Sequence, residues 1–313
     1  MRAMAINEFG GSDRLELMDL PDPRVGPDSV LIEVKAAGCN PVDFKTREGK
    51  QKDRFPFHFP LILGWDAAGV VAATGPAVVG LKEGDEVYAY CRKTELAEGT
   101  YAELVSMPAG AVALKPPSAS WAQAGALPLA GLTAWQALVE ALEISEDQTV
   151  AIGAAAGGVG HLAVQIAAAQ GAEVIGIASA ANHDFLRSLG ADHVLDYHDG
   201  DVAEELHELH AGGIDAAFDL YGGDSLEALR NAVRPGGRVV SIAQPDPAGD
   251  RGDLTGRYVF VRPSARGLHE LSELVERGQL RVEVAEEFAL ADAAAAMDRL
   301  QDGHVRGKLV LTI

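Results

Sequence analysis

The chain has 313 residues and is acidic, since 26 Lys and Arg against 46 Asp and Glu give a formal net charge of −20. So acidic a surface repels phosphate backbones and anionic lipids, which argues against nucleic acid or a membrane as the main partner. The length corresponds to about two domains, and 48% hydrophobic residues can bury a core, which excludes global disorder.

Cysteine content and the apolar segments limit the class further. The two cysteines, Cys39 and Cys91, are too few for a disulfide framework or a four-cysteine zinc site. The first residues lack the apolar core of a signal peptide, and no apolar run approaches the roughly 20 residues of a membrane-spanning helix. We therefore expect a soluble, cytoplasmic protein.

The N-terminal third of the chain alternates short β-rich runs with Gly, Pro and Asp. Examples are SVLIEVKAAG, GVVAATG and GDEVYAY. This spacing predicts a compact, barrel-like β domain.

From about residue 120 the pattern changes to strands that alternate with helices. The predicted strands are QTVAI, EVIGIAS, HVLDY, IDAAFDL and GRVVSIA, and the predicted helices are VGHLAVQIAAAQG, ANHDFLRSLG and DSLEALRNAV. Such alternation predicts a parallel sheet covered on both faces. The last stretch, FALADAAAAMDRLQDGHVRGKLVLTI, predicts a helix and a closing strand that packs back on the N-terminal domain.

A glycine cluster follows the first of these strands. Ala155, Gly157 and Gly160 form the pattern A-x-G-x-x-G between a predicted strand and a predicted helix. Missing Cβ atoms let the backbone approach a pyrophosphate, and a helix N-terminus supplies N–H donors and a partial positive charge. The alternative is a glycine-rich turn that only packs the helix on the strand, but the strand–helix–strand order favours dinucleotide binding.

The side chains at the end of the second predicted strand indicate the type of cofactor. That strand ends near Ala178 and Ser179, where NAD-preferring sites place Asp or Glu to hold the ribose 2′-hydroxyl. Here the neighbouring side chains are small or neutral, so no acidic group is expected to repel a 2′-phosphate. This favours NADP over NAD, the alternative being an unselective site.

Seven motifs along the chain, taken in their order, carry a resemblance to a known family. They are AAGCNPVDFKTREG (36–49), LILGWDAAGVV (61–71), GDEVYAY (84–90), GTYAELV (99–105), LPLAGLTAWQAL (127–138), AAAGGVGHLAVQIA (154–167) and RGKLVL (306–311). Together they resemble the medium-chain dehydrogenase/reductase superfamily, and specifically its zinc-independent, zeta-crystallin-like quinone oxidoreductase branch. The resemblance implies an α/β protein. A GroES-like β-barrel domain would be formed by residues 1–120 with 285–313, and a Rossmann domain, a doubly wound parallel sheet, by residues 121–284.

The resemblance also bears on metal binding. Zinc alcohol dehydrogenases of the superfamily carry Gly-His-Glu where this chain has Gly64-Trp65-Asp66, and a cysteine ligand where Asn40 stands. An indole cannot ligate a metal, because it is only a hydrogen-bond donor. Cys39 is one residue out of step, and the nine histidines offer no substitute constellation. We expect no metal site, with Trp65 as wall or packing and Asp66 as a turn or ion-pair residue.

The activity implied is hydride transfer without zinc. The resemblance implies an NADPH-dependent reductase whose acceptor is a quinone or another electron-poor conjugated carbonyl, because a metal-free site has no obvious means of activating an alcohol. Two alternatives stay open: an enoyl (C=C) reductase of a biosynthetic pathway, and a non-catalytic NADPH-binding redox sensor. No residue is assigned as the proton donor.

The resemblance assigns candidate residues to each part of the site. Asn40 is the candidate catalytic residue and, with Thr133, would lie near the nicotinamide ribose. The other cofactor-binding candidates are Ala155, Gly157, Gly158 and Val159 at the pyrophosphate, Ser179, Asn182, Tyr197 and Lys308 toward the adenosine 2′-phosphate, and Ile242, Ala243 and Gln244 at the nicotinamide. Trp65 and Tyr90 would rim the substrate cleft. Each has a structural alternative: Asn40 before Pro41 suits a turn, and Lys308 beside a terminal strand suits solvent.

Oligomerisation is suggested by one more segment. RYVFVRP (257–263) reads as an exposed apolar strand that pairs with its copy across a two-fold axis, which predicts a homodimer. The alternative is the last covered strand of the sheet.

Overall fold

The computed structural model describes residues 1–313, which form two compact units. The first unit contains residues 1–132, 262–278 and 282–313, and the second contains residues 133–261 and 279–281. The domain limits expected near residues 120 and 285 stay a prediction, and these units differ from them chiefly in the helix around residue 270.

The strands follow the predicted order. They are β1 Arg2–Ile6, β2 Glu16–Asp19, β3 Ser29–Cys39, β4 Leu61–Ile62, β5 Asp66–Thr74, β6 Glu86–Tyr90, β7 Leu104–Pro108, β8 Val112–Leu114, β9 Thr149–Ile152, β10 Glu173–Ile177, β11 His193–Leu195, β12 Ile214–Asp219, β13 Val233–Ser241, β14 Thr255–Tyr258, β15 Val284–Ala289 and β16 Lys308–Thr312.

The helices fall mainly in the second half of the chain. They are α1 Pro41–Arg47, α2 Trp121–Ala126, α3 Pro128–Trp135, α4 Gly160–Ala169, α5 His183–Ser188, α6 Val202–Leu209, α7 Gly223–Ala232, α8 Ala265–Glu276 and α9 Ala293–Gln301. A π-helical stretch over Gln136–Ala141 follows α3 directly. No helix is both long enough and apolar enough to span a bilayer.

The first unit is built on β-sheets that join both ends of the chain. Its larger sheet has the order β15-β16-β3-β5-β6-β8, with β7 also paired to β3, and a smaller sheet has the order β2-β1-β4. The closing strand β16 runs antiparallel to β3, as the sequence predicted. Helix α8 belongs to this unit, where the Tyr88 hydroxyl donates to the carbonyl of Leu268 at 2.5 Å.

The second unit is a six-stranded parallel sheet with the order β11-β10-β9-β12-β13-β14. The chain moves outward from β9 in one direction and then returns to the other side of β9 with β12, so the strand order reverses between β9 and β12. The carboxyl ends of parallel strands lie at one edge of a sheet, and ligands bind there at the point of reversal. The loops after β9, β10, β12 and β13 therefore share the edge at which the predicted cofactor residues stand.

Candidate active site

The predicted glycine turn connects β9 to α4 over residues 153–159. A Cβ added to Gly160 would overlap the carbonyl oxygen of Ala154 and lie 2.6 Å from the Cα of Ala155, so only glycine lets the helix begin this close to the turn. A Cβ on Gly157 would lie 3.3 Å from the same carbonyl oxygen. The first N–H groups of an α-helix have no partner within the helix and favour an anion. The turn thus fits a pyrophosphate.

Neighbouring strands hold this turn in place. The backbone N–H of Ala155 donates to Ile177 O at 2.9 Å, and that of Gly153 donates to Phe218 O at 3.0 Å. These acceptors end β10 and lie near the end of β12, on either side of β9. The turn is therefore anchored to both neighbours at the point where the strand order reverses.

A buried carboxylate organises the loops after β12 and β13. Asp219 is fully buried and accepts hydrogen bonds from Ser241 Oγ at 2.6 Å and from the backbone N–H of Gly222 at 2.9 Å. Ser241 Oγ in turn accepts from the N–H groups of Ala243 and Gln244, both at 3.0 Å. Asp219 thereby fixes the predicted nicotinamide segment. Sequence reasoning missed it, although an acidic residue next to the end of the predicted strand IDAAFDL was a usable signal.

The predicted adenosine-end residues lie beyond β10. Asn182 Nδ2 donates to Ser179 Oγ at 3.1 Å, so these two candidates are in contact. Tyr197 is 50% exposed, and its ring centroid lies 4.1 Å from that of His198.

The structure also corrects one expectation at this end of the sheet. The Asp196 carboxylate accepts from the backbone N–H of Ala180 at 2.7 Å. An acidic group therefore does lie at the end of the second strand, β10, because Asp196 directly follows the neighbouring strand β11.

In the first unit, both the nitrogen and the oxygen of the Asn40 side-chain amide are hydrogen-bonded. It is 2% exposed; its Nδ2 donates to Asp66 Oδ2 at 2.8 Å and to Gly38 O at 3.3 Å. Lys308 Nζ donates to Asn40 Oδ1, and also to Cys39 O at 2.9 Å. Because donors and acceptor are both engaged, the amide is held in one orientation.

Asp66 and Lys308 form a buried ion pair around this amide. Lys308 Nζ lies 4.0 Å from Asp66 Oδ2, and the two side chains are 3% and 0% exposed. Burial raises the pKa of Asp66 to about 6, although the Lys308 charge and hydrogen bonds oppose the shift. Burial likewise lowers the pKa of Lys308, against the charge of Asp66. The ion-pair interpretation of Asp66 is confirmed, and this geometry favours holding Asn40 as the role of Lys308 over contact with an adenosine 2′-phosphate.

A second buried carboxylate, Asp43, supports the start of α1. Its Oδ2 accepts from the backbone N–H of Asn40 at 2.7 Å and from the hydroxyl of Tyr101 at 3.0 Å. Burial raises the pKa of Asp43 to about 7, despite the Asn40 hydrogen bond. Sequence reasoning missed both Asp43 and Tyr101, although an acidic residue three positions after Asn40 is a known helix-start signal.

The tryptophan of LGWDAAG is a packing and wall residue. Trp65 is 7% exposed, and its ring centroid lies 5.9 Å from Phe55 and 6.2 Å from Tyr90, which is fully buried. Gly64 before it has φ +91°, and a Cβ there would collide with the Tyr101 ring. A small pocket that is open to solvent lies beside the indole; its lining includes Asp43, Thr46, Leu61, Leu63, Trp65 and Leu96.

The residues do not fit a catalytic zinc ion. No group of three His, Cys, Asp or Glu side chains over residues 1–313 is placed to hold a metal. Trp65 stands where the zinc alcohol dehydrogenases of the superfamily carry a histidine, and the Asn40 amide is hydrogen-bonded to Asp66 and Lys308. Thr133, the remaining nicotinamide candidate, is 3% exposed within α3 in the second unit.

Known proteins match this chain over its whole length. Residues 26–117 match the family described as alcohol dehydrogenase GroES-like domain, and residues 189–311 match the family described as zinc-binding dehydrogenase. A relative from Arabidopsis thaliana, "NADPH-dependent alkenal/one oxidoreductase, chloroplastic", is 35% identical over 99% of this chain and 79% of its own length.

The chain is also similar to solved structures over its whole length. The quinone oxidoreductase from Coxiella burnetii superposes with a TM-score of 0.89 at 35% identity, covering 100% of this chain and 99% of the other. The Escherichia coli quinone oxidoreductase complexed with NADPH gives 0.89 at 27% identity, covering 100% of both chains.

Fold and site together define a GroES-like domain combined with a Rossmann, dinucleotide-binding sheet. The chain belongs to the medium-chain dehydrogenase/reductase superfamily, in its quinone oxidoreductase branch. The recognition and the fold class predicted from the sequence are confirmed.

Proposed function

We propose that the protein is an NADPH-dependent reductase that transfers hydride, without zinc, to a quinone or another electron-poor conjugated carbonyl. The observation that carries the proposal is the glycine turn of residues 153–159, anchored at the reversal point of a parallel sheet. Relatives named as quinone and NADPH-dependent alkenal/one oxidoreductases support the same acceptor class and cofactor.

We propose that residues of the second unit hold the cofactor. When bound, NADPH supplies a hydride from its nicotinamide ring. The turn and the first amides of α4 would hold the pyrophosphate, and the loop around Ser179, Asn182 and Tyr197 would hold the adenosine 2′-phosphate. Thr133 and the segment 242–244, fixed by Asp219 and Ser241, would position the nicotinamide end.

In the first unit, Asn40 is the proposed catalytic side chain, and Asp66 and Lys308 hold its amide in a single orientation. Trp65, beside a small pocket that is open to solvent, is proposed to contact the acceptor. Reduction of the C=C bond of an enone is favoured as the second candidate by the relative named for alkenals and alkenones.

The test follows NADPH and NADH oxidation by chelator-treated protein with a small quinone and a simple enone. Quinone-dependent NADPH oxidation that EDTA leaves unchanged is the expected result. Faster turnover of the enone would identify the C=C reductase instead. Tight NADPH binding with no oxidation by either acceptor would contradict the proposal and favour the redox sensor.

We also propose that the protein forms a homodimer. Strand β14 is the edge of the parallel sheet, and Thr255, Gly256 and Arg257 are exposed, so its outer backbone groups are available to a second copy. The strand predicted over residues 257–263 is corrected: β14 is Thr255–Tyr258, and the apolar residues 259–261 follow it without being part of a strand. The cytoplasmic location stays a prediction, because the Arabidopsis relative is chloroplastic by name.

A further inference from the structure

The end of β10 carries a negative charge that does not come from β10 itself. Asp196, one residue past the end of β11, places its Oδ2 2.7 Å from the backbone N of Ala180. In this fold the adenosine ribose lies at the tip of the second strand, where an acidic side chain binds a 2′-hydroxyl and repels a 2′-phosphate. Asp196 therefore stands where that acid would act, although it comes from the neighbouring strand.

A histidine accompanies this carboxylate. His198 binds Asp196 Oδ1 twice, through its backbone N–H and its Nδ1, both at 2.9 Å. Those hydrogen bonds and the one from Ala180 lower the pKa of Asp196, so the carboxylate is ionised. The side chain of His198 is 61% exposed, against 11% for Asp196, and its ring lies against that of Tyr197 at an interplanar angle of 34°. The imidazole of His198 is thus bound to the carboxylate and is much more exposed than it.

The remaining charged groups near this loop have other partners. On α5, Arg187 pairs with Asp184 at 3.1 Å, and His183 Nε2 lies 3.1 Å from the carbonyl of Ala178. Asp201 caps α6 by accepting from the N–H of Ala203 at 2.8 Å. The pair Asp196–His198 is therefore the charged element bound directly to the Ser179–Asn182 turn.

We propose that Asp196 and His198 set the choice between NADPH and NADH, with Asp196 weakening the binding of a 2′-phosphate and His198 strengthening it. The inference rests on the proposed function, since it assumes that a dinucleotide occupies the edge of this sheet. It adds two specificity-determining residues to the contacts proposed for Ser179, Asn182 and Tyr197.

The test measures dissociation constants of NADPH and NADH by isothermal titration calorimetry, without turnover. Asp196→Asn keeps an oxygen that can accept from Ala180 but removes the charge. It should tighten NADPH binding by about tenfold and change NADH binding much less, as expected for one charge removed close to a phosphate. His198→Gln should weaken NADPH binding by roughly three- to tenfold.

Matched variants separate position from overall charge. Asp199→Asn removes the same charge three residues further along, at an exposed position, and His207→Gln changes an exposed histidine on α6. Both should leave the NADPH/NADH ratio within about twofold, a difference of less than half a kcal/mol. His198→Arg, which fixes a positive charge beside the same carboxylate, should tighten NADPH binding and keeps the test decisive if Asp196→Asn folds poorly.

The binding measurements distinguish failure of this inference from failure of the proposed function. A changed NADPH/NADH ratio in the Asp196 and His198 variants alone supports the inference. An unchanged ratio, or an equal effect of Asp199→Asn, overturns it while NADPH binding by the wild type leaves the proposed function standing. Binding of neither dinucleotide by the wild type would instead reject the proposed function, and the inference with it.

Discussion

At the residue scale, the protonation of Asp43 affects the stability of the first unit. Its pKa is raised by burial from 3.8 to about 7, so the folded protein holds a proton that the unfolded chain has released. Stability from this proton is complete below about pH 4 and is lost as the pH rises through about 7. Asp66, with a pKa raised to about 6, acts in the same direction.

Replacing Asp43 by Asn should therefore change the pH dependence of folding. Asn can still accept from the N–H of Asn40 and from Tyr101, but it never pays the cost of a buried charge. We expect the free energy of unfolding of Asp43→Asn, relative to the wild type, to increase by about 2 kcal/mol between pH 5 and pH 8. Urea denaturation at both pH values measures this.

The control for this variant is Asp53→Asn, at an exposed position in the loop after α1. It should give the same difference from the wild type at both pH values. A pH-independent difference for Asp43→Asn would mean that Asp43 is ionised in the folded protein throughout this range.

At the element scale, two glycines between β9 and α4 are expected to have different roles. Gly160 allows close backbone packing, and Gly157 allows the ligand to approach. Ala at position 160 would overlap the backbone of Ala154 and Ala155, so Gly160→Ala should cost about 2–4 kcal/mol of stability through forced backbone movement. At Gly157 only one contact, at 3.3 Å, is tight. Gly157→Ala should therefore cost less than about 1 kcal/mol in stability, yet weaken NADPH binding about tenfold by obstructing the pyrophosphate.

Urea denaturation and NADPH titration of the two variants test this division. Gly212→Ala is the control, because a Cβ there meets nothing within 4 Å. Equal losses of stability at positions 157 and 160 would show that the two glycines do not have separate roles.

The same elements show what the sequence could predict. Periodicity and glycine placement predicted β9, β10, β12 and β13 and the end of α4, where Gly171 has φ +80°. They could not predict contacts between residues far apart in the chain. Lys308 meets Asn40 across 268 positions, and Asp196 reaches Ala180 only because β11 lies beside β10. Sheet order, which local patterns do not contain, decides both.

At the scale of the whole molecule, the formal charge of −20 acts against self-association. Two chains of like charge repel one another over distances of about the Debye length, roughly 10 Å at 0.1 M salt. A dimer that pairs β14 edges would be held by backbone hydrogen bonds and apolar contacts, which salt screens little. Repulsion and attraction therefore respond differently to ionic strength.

The proposed homodimer should accordingly become tighter as salt is added. We expect its dissociation constant to fall several-fold between about 20 mM and 200 mM NaCl, because screening removes repulsion between the two acidic chains and leaves the edge contacts in place. Sedimentation velocity over a range of protein concentrations measures the constant, and the dimer should sediment as twice the 32.8 kDa chain. A dissociation constant that rises with salt would mean that complementary charges, rather than the β14 edge, hold the subunits together. A monomer at every salt and protein concentration would rule the dimer out.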